Sequence, residues 1–249
     1  MFFVRFSLTV PLLMLMLLLA ALCVFPPVNS YFPFSFIFIF ANIVNKTFHE
    51  LGHSIFAFLY GIPNLPDIST IFGTDPAQDV IFMLERRWLL QLIIFGGLGW
   101  ICYYLFSLVN RFYVTALSFT LFIVVTSFTK YHMAVIDFMG HITAMMIGGY
   151  LLYWAICRGE KIYNRMTAAF FGFYILLWNI RFSYMVAYDQ KFRDDYAASR
   201  MSQVWHHDFI KIHDITGLGV DNVAVATSVA GMAILLLTLI IAGKHSKKA

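Results

Sequence analysis

Residues His49-Glu50-Leu51-Gly52-His53 hold the densest chemistry in the chain. They match the pattern H-E-x-x-H, which sets two imidazoles one helical turn apart with a carboxylate beside them. On a helix, positions i and i+4 differ by about 40° in azimuth, so both rings leave the same face and can share one divalent cation. Zn²⁺ favours such nitrogen donors. Glu50 lies about 100° round from His49, near enough to take a proton from a water activated by the cation without being a ligand itself. With 8 His in 249 residues, chance seldom assembles this pattern.

Two histidines leave a catalytic zinc one protein donor short. Of the acidic residues other than Glu50, Asp137 alone is embedded in an apolar segment, Asp137-Phe138-Met139-Gly140-His141, where Asp and His again share a helical face. It reads as a third ligand, or as a helix-entry residue that complements the dipole. A rival donor set lies in 205–214, where His206, His207, Asp208, His213 and Asp214 cluster. Its polar surroundings suit a solvated surface segment, but it could also cap the site, bind a second ion or steer substrate. Asp208 therefore stays open as the alternative third ligand, with His207, His141 and His132 as supporting residues around the site.

These groups need an element to position them. Asn42, Asn45, Lys46, His49, Glu50 and His53 recur at spacings of three and four, a helical period, within an apolar run over 34–60. Ionisable groups at membrane depth are costly and normally face a bundle interior or a water-filled cavity. The stripe thus reads as a polar site sunk in the membrane, with Asn45 and Lys46 close to the reacting centre. Further spans are expected at 4–25, 88–109, 112–128, 134–157, 167–188 and 223–242, each near the roughly 20 residues a crossing needs. The connecting loops fall at 61–87, 158–166 and 190–222. The expectation is an all-α transmembrane bundle of six or seven helices forming one domain over 1–249, with the first run retained as a helix rather than cleaved as a signal peptide.

Composition agrees. Hydrophobic residues make up 61% and charged residues 12%, against about 25% charged in a soluble domain. The chain is expected to be an integral, multi-pass protein whose first partner is the lipid bilayer, in a bacterial cytoplasmic membrane. The net charge of +4 is spread over loops and tail, so nucleic acid is not an expected partner. Basic loop residues divide almost evenly between the two sides, and the positive-inside rule assigns no orientation. Cys23, Cys102 and Cys157 lie in or beside apolar runs without C-x-x-C spacing and read as small buried hydrophobes.

The run Phe48-His49-Glu50-Leu51-Gly52-His53 within a membrane helix resembles the site-2 protease family of intramembrane zinc metalloproteases. Phe95-Gly96-Gly97-Leu98-Gly99 resembles that family's small-residue helix, with Gly97 where Pro is usual, and Val135-Ile136-Asp137 resembles its acidic element, with Phe138 in place of Gly. The likeness covers about 42–149 and marks a divergent member. It implies a catalytic core of three helices, zinc held by His49, His53 and Asp137, Glu50 as general base, and a membrane-spanning protein as substrate. Two other classes compete. A membrane di-iron oxygenase would use His49, His53, His141, His206, His207 and His213, though few of these have the expected spacing. A non-catalytic regulator descended from a protease would keep the helices without the chemistry.

Overall fold

The chain is described by a computed structural model covering residues 2–63, 65–66, 87–108, 112–157, 161–198 and 208–246, with side chains left out for 2–9, 26, 29, 198 and 246. Its secondary structure is helical throughout the described residues. In order the elements are α1 (Phe2–Val24), α2 (Pro26–Asn29), α3 (Phe34–Leu59), α4 (Trp88–Ser107), α5 (Tyr113–Ser127), α6 (Tyr131–Cys157), α7 (Ile162–Tyr188), α8 (Gln190–Ala198), α9 (Asp208–Thr216) and α10 (Val220–Ser246). The expected all-α class holds.

Local chemistry sets the breaks. Phe25 precedes Pro26 and is extended (φ −81°, ψ 122°), because the proline ring disfavours the α conformation in the residue before it. α3 ends where Gly61 adopts φ 77°. Its N–H donates to Phe58 O at 2.9 Å, and the Ile62 N–H donates to Ala57 O at 2.9 Å. That pair of bonds satisfies the last carbonyls of the helix through a left-handed glycine. The Gly61 carbonyl then accepts from Arg87 N–H at 2.9 Å, joining the exit of α3 to the entry of α4.

Among the described residues, four helices are long and apolar enough to cross a membrane: Trp88–Ser107, Tyr131–Cys157, Ile162–Tyr188 and Val220–His245. They make this a membrane protein by length and composition. α5 is apolar but has only 15 residues, and α3 drops out of the set because its polar stripe lowers its hydropathy. α7 is the central post: it packs on α1, α3, α6, α8 and α10. α6 fills the space between α3, α7, α9 and α10. α4 and α5 pair with each other at the periphery, and Phe95 and Leu98 of α4 reach Phe56, Tyr60 and Ile136 through a small apolar cluster.

The structure corrects two expectations about boundaries. α6 begins at Tyr131 rather than 134, so Asp137 stands well inside the helix and is no helix-entry residue. The interval 190–222 is not merely a solvated loop: it carries α8 and α9, and Tyr196, Phe209 and Ile212 are buried in one aromatic cluster with Phe182. Two short helices of nine residues each give too little periodicity to stand out from a polar sequence. The expected loop 61–87 lies mostly outside the described residues.

α6 and α7 cross at glycines. A Cβ on Gly172 would stand 2.8 Å from Gly148 O and 2.9 Å from Leu152 N, both backbone atoms that cannot step aside. Small residues at such crossings let helices approach closely where lipid offers no hydrophobic drive. By contrast, nothing lies within 4 Å of a Cβ on Gly97. Gly172→Val should therefore lower the melting temperature of the detergent-solubilised protein, at the roughly 1–3 kcal/mol usual for overpacking. Gly97→Val should leave it close to wild type.

Candidate metal centre

His49 and His53 project from α3 toward α6, and the contact depends on two glycines. A Cβ on Gly52 would stand 2.7 Å from Met139 O and 2.8 Å from Thr143 Cβ. A Cβ on Gly140 would stand 2.5 Å from both Cε1 and Nε2 of His53 and 3.0 Å from His49 Cε1. Gly140 thus clears the space that the paired rings occupy, and Gly52 brings the two helix backbones together beside them.

Four donor atoms converge there. His49 Nε2 lies 2.9 Å from His53 Nε2 and 3.0 Å from Asp208 Oδ2. Asp208 Oδ2 is also 3.3 Å from His53 Nε2 and 3.6 Å from His141 Nε2. A tetrahedral ion with ligand bonds of about 2.0–2.1 Å has ligands about 3.3–3.4 Å apart along each edge. Three of these separations meet at Asp208 Oδ2 and the fourth joins His49 to His53, and together they bracket that length. His49, His141 and Asp208 offer donor atoms all within 4.8 Å of one another, as do His49, Glu50 and His53. His49, His141 and Asp208 are 1%, 0% and 3% exposed and the His53 side chain 13%, so three of the four donors are buried.

The outer ring atoms fix the orientation of two imidazoles. Ile136 O can only accept, so its 2.9 Å contact with His53 Nδ1 puts the proton on Nδ1. Ile175 O, likewise an acceptor, takes a 2.8 Å bond from Asn179 Nδ2, and Nδ2 also donates to Asn45 Oδ1 at 3.0 Å. The Asn179 amide is thereby oriented with Oδ1 toward His141 Nδ1, which donates to it at 3.1 Å. In neutral His53 and His141 the Nε2 lone pairs then face the common centre. Outer hydrogen bonds of this kind fix tautomer and ring direction in metal sites. The residues present fit a metal ion on this ground.

Asp208 opens α9, and its neighbour Phe209 anchors it. The Phe209 N–H donates to Tyr196 Oη at 3.2 Å. The Phe209 ring stacks on His141, with centroids 4.9 Å apart and planes 26° off parallel. Burial works against the Asp208 charge, but the neighbouring His53, with hydrogen bonds from His49 and His53, outweighs it and holds the carboxyl well below the usual carboxylate range. The carboxylate is therefore an ionised donor.

Asp137 differs from its expected role as third ligand. It is buried one turn before His141 on α6 but belongs to neither donor group that forms among the described residues. The converging carboxylate is Asp208, and the further ring is His141, a residue expected only in support. Asn45 holds Asn179, and Lys46 lies buried one turn before Glu50 on α3. His132 turns away, with Nδ1 2.6 Å from Thr129 O, and His213 Nδ1 lies 2.6 Å from Leu218 O. His206 and His207 lie outside the described residues. Sequence reading missed Asn179, whose only signal was an amide in the middle of an apolar helix. Comparisons with protein-family models, with curated proteins and with solved structures find no match for this chain.

Asn179→Ala should cut metal affinity by roughly 10–100-fold, the usual effect of losing such a partner, read by competition against a chromophoric chelator. Asp137→Asn should leave that affinity near wild type, and a loss equal to that of His141→Ala would return Asp137 to the ligand set.

Proposed function

We propose that this chain is a multi-pass, membrane-embedded zinc hydrolase that cleaves peptide bonds of membrane-spanning or membrane-proximal substrates. One observation carries the reading: the Nε2 atoms of His49, His53 and His141 all lie within 3.0–3.6 Å of one carboxylate oxygen, Asp208 Oδ2, inside a helical bundle, with Glu50 beside His49 and His53. Histidine nitrogens with a single carboxylate oxygen favour zinc over metals that prefer more ligands or all-oxygen sets. The resemblance of 48–53 to site-2 proteases supports peptide hydrolysis as the reaction.

The zinc would be held by His49, His53, His141 and Asp208, and when bound it would supply Lewis-acid activation of water near neutral pH. Glu50 takes the proton of the attacking water at its carboxylate and returns it to the leaving amine. Gly140 and Asn179 keep the rings in position, and Phe209 shields one side of His141 from water. A substrate helix must unwind locally, because its peptide bonds are occupied in their own hydrogen bonds.

A second reading, a non-catalytic metal-dependent regulator, is favoured by the count of donors. Four protein ligands make a closed sphere, the mark of structural zinc. The di-iron oxygenase has less support, since both donor groups among the described residues share His49 and form one site.

Glu50→Gln should keep one zinc per chain and lose cleavage of fluorescence-quenched transmembrane peptides by roughly 10²–10⁴-fold, the usual contribution of a general base. Undiminished cleavage removes Glu50 from the chemistry. Zinc in the wild type without cleavage of any peptide supports the regulator. His49→Ala and His53→Ala should each abolish stoichiometric zinc, and retention in both would overturn the site.

A further inference from the structure

The four donors are unequal in how they are held. His49 and His53 sit on α3 and His141 on α6, helices of 26 and 27 residues locked together at Gly52 and Gly140. The carboxylate comes from the first residue of α9, a helix of nine residues. One oxygen of that side chain, Oδ2, makes all three contacts with the rings. Asp208 would therefore give a bound ion a single donor atom, at the point where the three rings meet. In a hydrolytic zinc site the fourth position belongs to water or substrate.

We propose that Asp208 is a displaceable internal ligand that closes the centre at rest, and that an oxygen of an incoming carbonyl or carboxylate group replaces it. The inference rests on the zinc-hydrolase reading and concerns its regulation. Release does not require α9 to leave. Phe209 is buried to 0% exposure among Phe182, Tyr196 and His141, and its N–H is tied to Tyr196. The backbone stays anchored while rotation about the two side-chain torsions of Asp208 withdraws Oδ2. The three imidazoles keep the ion meanwhile, because their support lies in α3, α6 and α7.

The test uses the full-length chain in detergent, loaded with Co²⁺ in place of Zn²⁺, with acetohydroxamate as probe and the visible cobalt bands as readout. A ligand that needs a minor, open state binds more weakly by the open fraction, so removing a latch that is closed nine times in ten tightens binding by about tenfold. Asp208→Ala and the near-isosteric Asp208→Asn should each retain one cobalt per chain, show altered bands before probe is added, and bind acetohydroxamate about tenfold tighter or more. Loss of the metal in both variants makes Asp208 an obligatory structural ligand and overturns the proposal. So does a wild type that binds the probe as tightly as the variants. Wild type without any bound cobalt overturns the metal site along with it. If Glu50→Gln leaves peptide cleavage intact, the hydrolase reading fails while the cobalt result still decides the latch.

Discussion

Three imidazoles gathered within 3.0–3.6 Å of one carboxylate oxygen, most of them fully buried, set the terms for the rest of this molecule. Polar groups buried without partners cost several kcal/mol in an apolar medium, and charges cost more. Each ring must therefore be answered by a specific atom on a neighbouring helix. Ile136 on α6 answers His53, and Asn179 on α7 answers His141. The packing of α3, α6 and α7 is in that sense a consequence of the cluster as much as its support.

The glycines show how the constraint reaches the backbone. Paired rings on one helix face need a recess on the next, and a residue larger than Gly at 140 would drive its Cβ into them. The same helix, α6, meets α7 at Gly148, so its small residues serve two neighbours at different heights. α7 in turn presents Asn179 to the site and Ile175, Leu176 and Tyr174 to the apolar core. A shift of α7 along its axis would carry the amide away from His141. Ring orientation and helix register are then one variable, which is why a side chain that touches no metal can govern affinity.

Much of this was legible in the sequence, for identifiable reasons. A motif with i, i+4 spacing is a local object, and His49, Glu50 and His53 are placed by one helix alone. The long apolar runs were equally plain, and helices occupy them with ends shifted by a few residues. Completion of the site was not local. The chain holds Asp137 and His141 at equal spacing on one face, and burial of an acid in an apolar run pointed to Asp137. Rotation and height of α6 against α3 decide which of the two reaches the rings, and no single-sequence pattern encodes that. Asp208 was harder still, because it lies in a polar stretch whose buried residues, Phe209 and Ile212, are too few to betray a helix. α3 offers the complementary lesson: the residues that build the centre lower its hydropathy, so the helix richest in chemistry is the one that composition alone leaves out of the spanning set.

The electrostatics also tie a metal to the fold. Asp208 and Glu50 both lie near His49 and His53, and carboxylates so enclosed need positive charge close by. Protons on the imidazoles can supply it, and so can a dication, but ligand nitrogens cannot hold a proton and a metal together. An ion held here would therefore replace protons at Nε2, a position distinct from the hydrogen bonds at Nδ1. The outer bonds of His53 and His141 use Nδ1 and leave Nε2 for a proton or an ion. The Nε2 atoms of His49, His53 and His141 all turn on one oxygen, 3.0–3.6 Å from Asp208 Oδ2. Here the bonds to Ile136 and Asn179 turn two of them inward, and that preorganisation toward a shared point is the strongest physical argument that the point is meant to be filled.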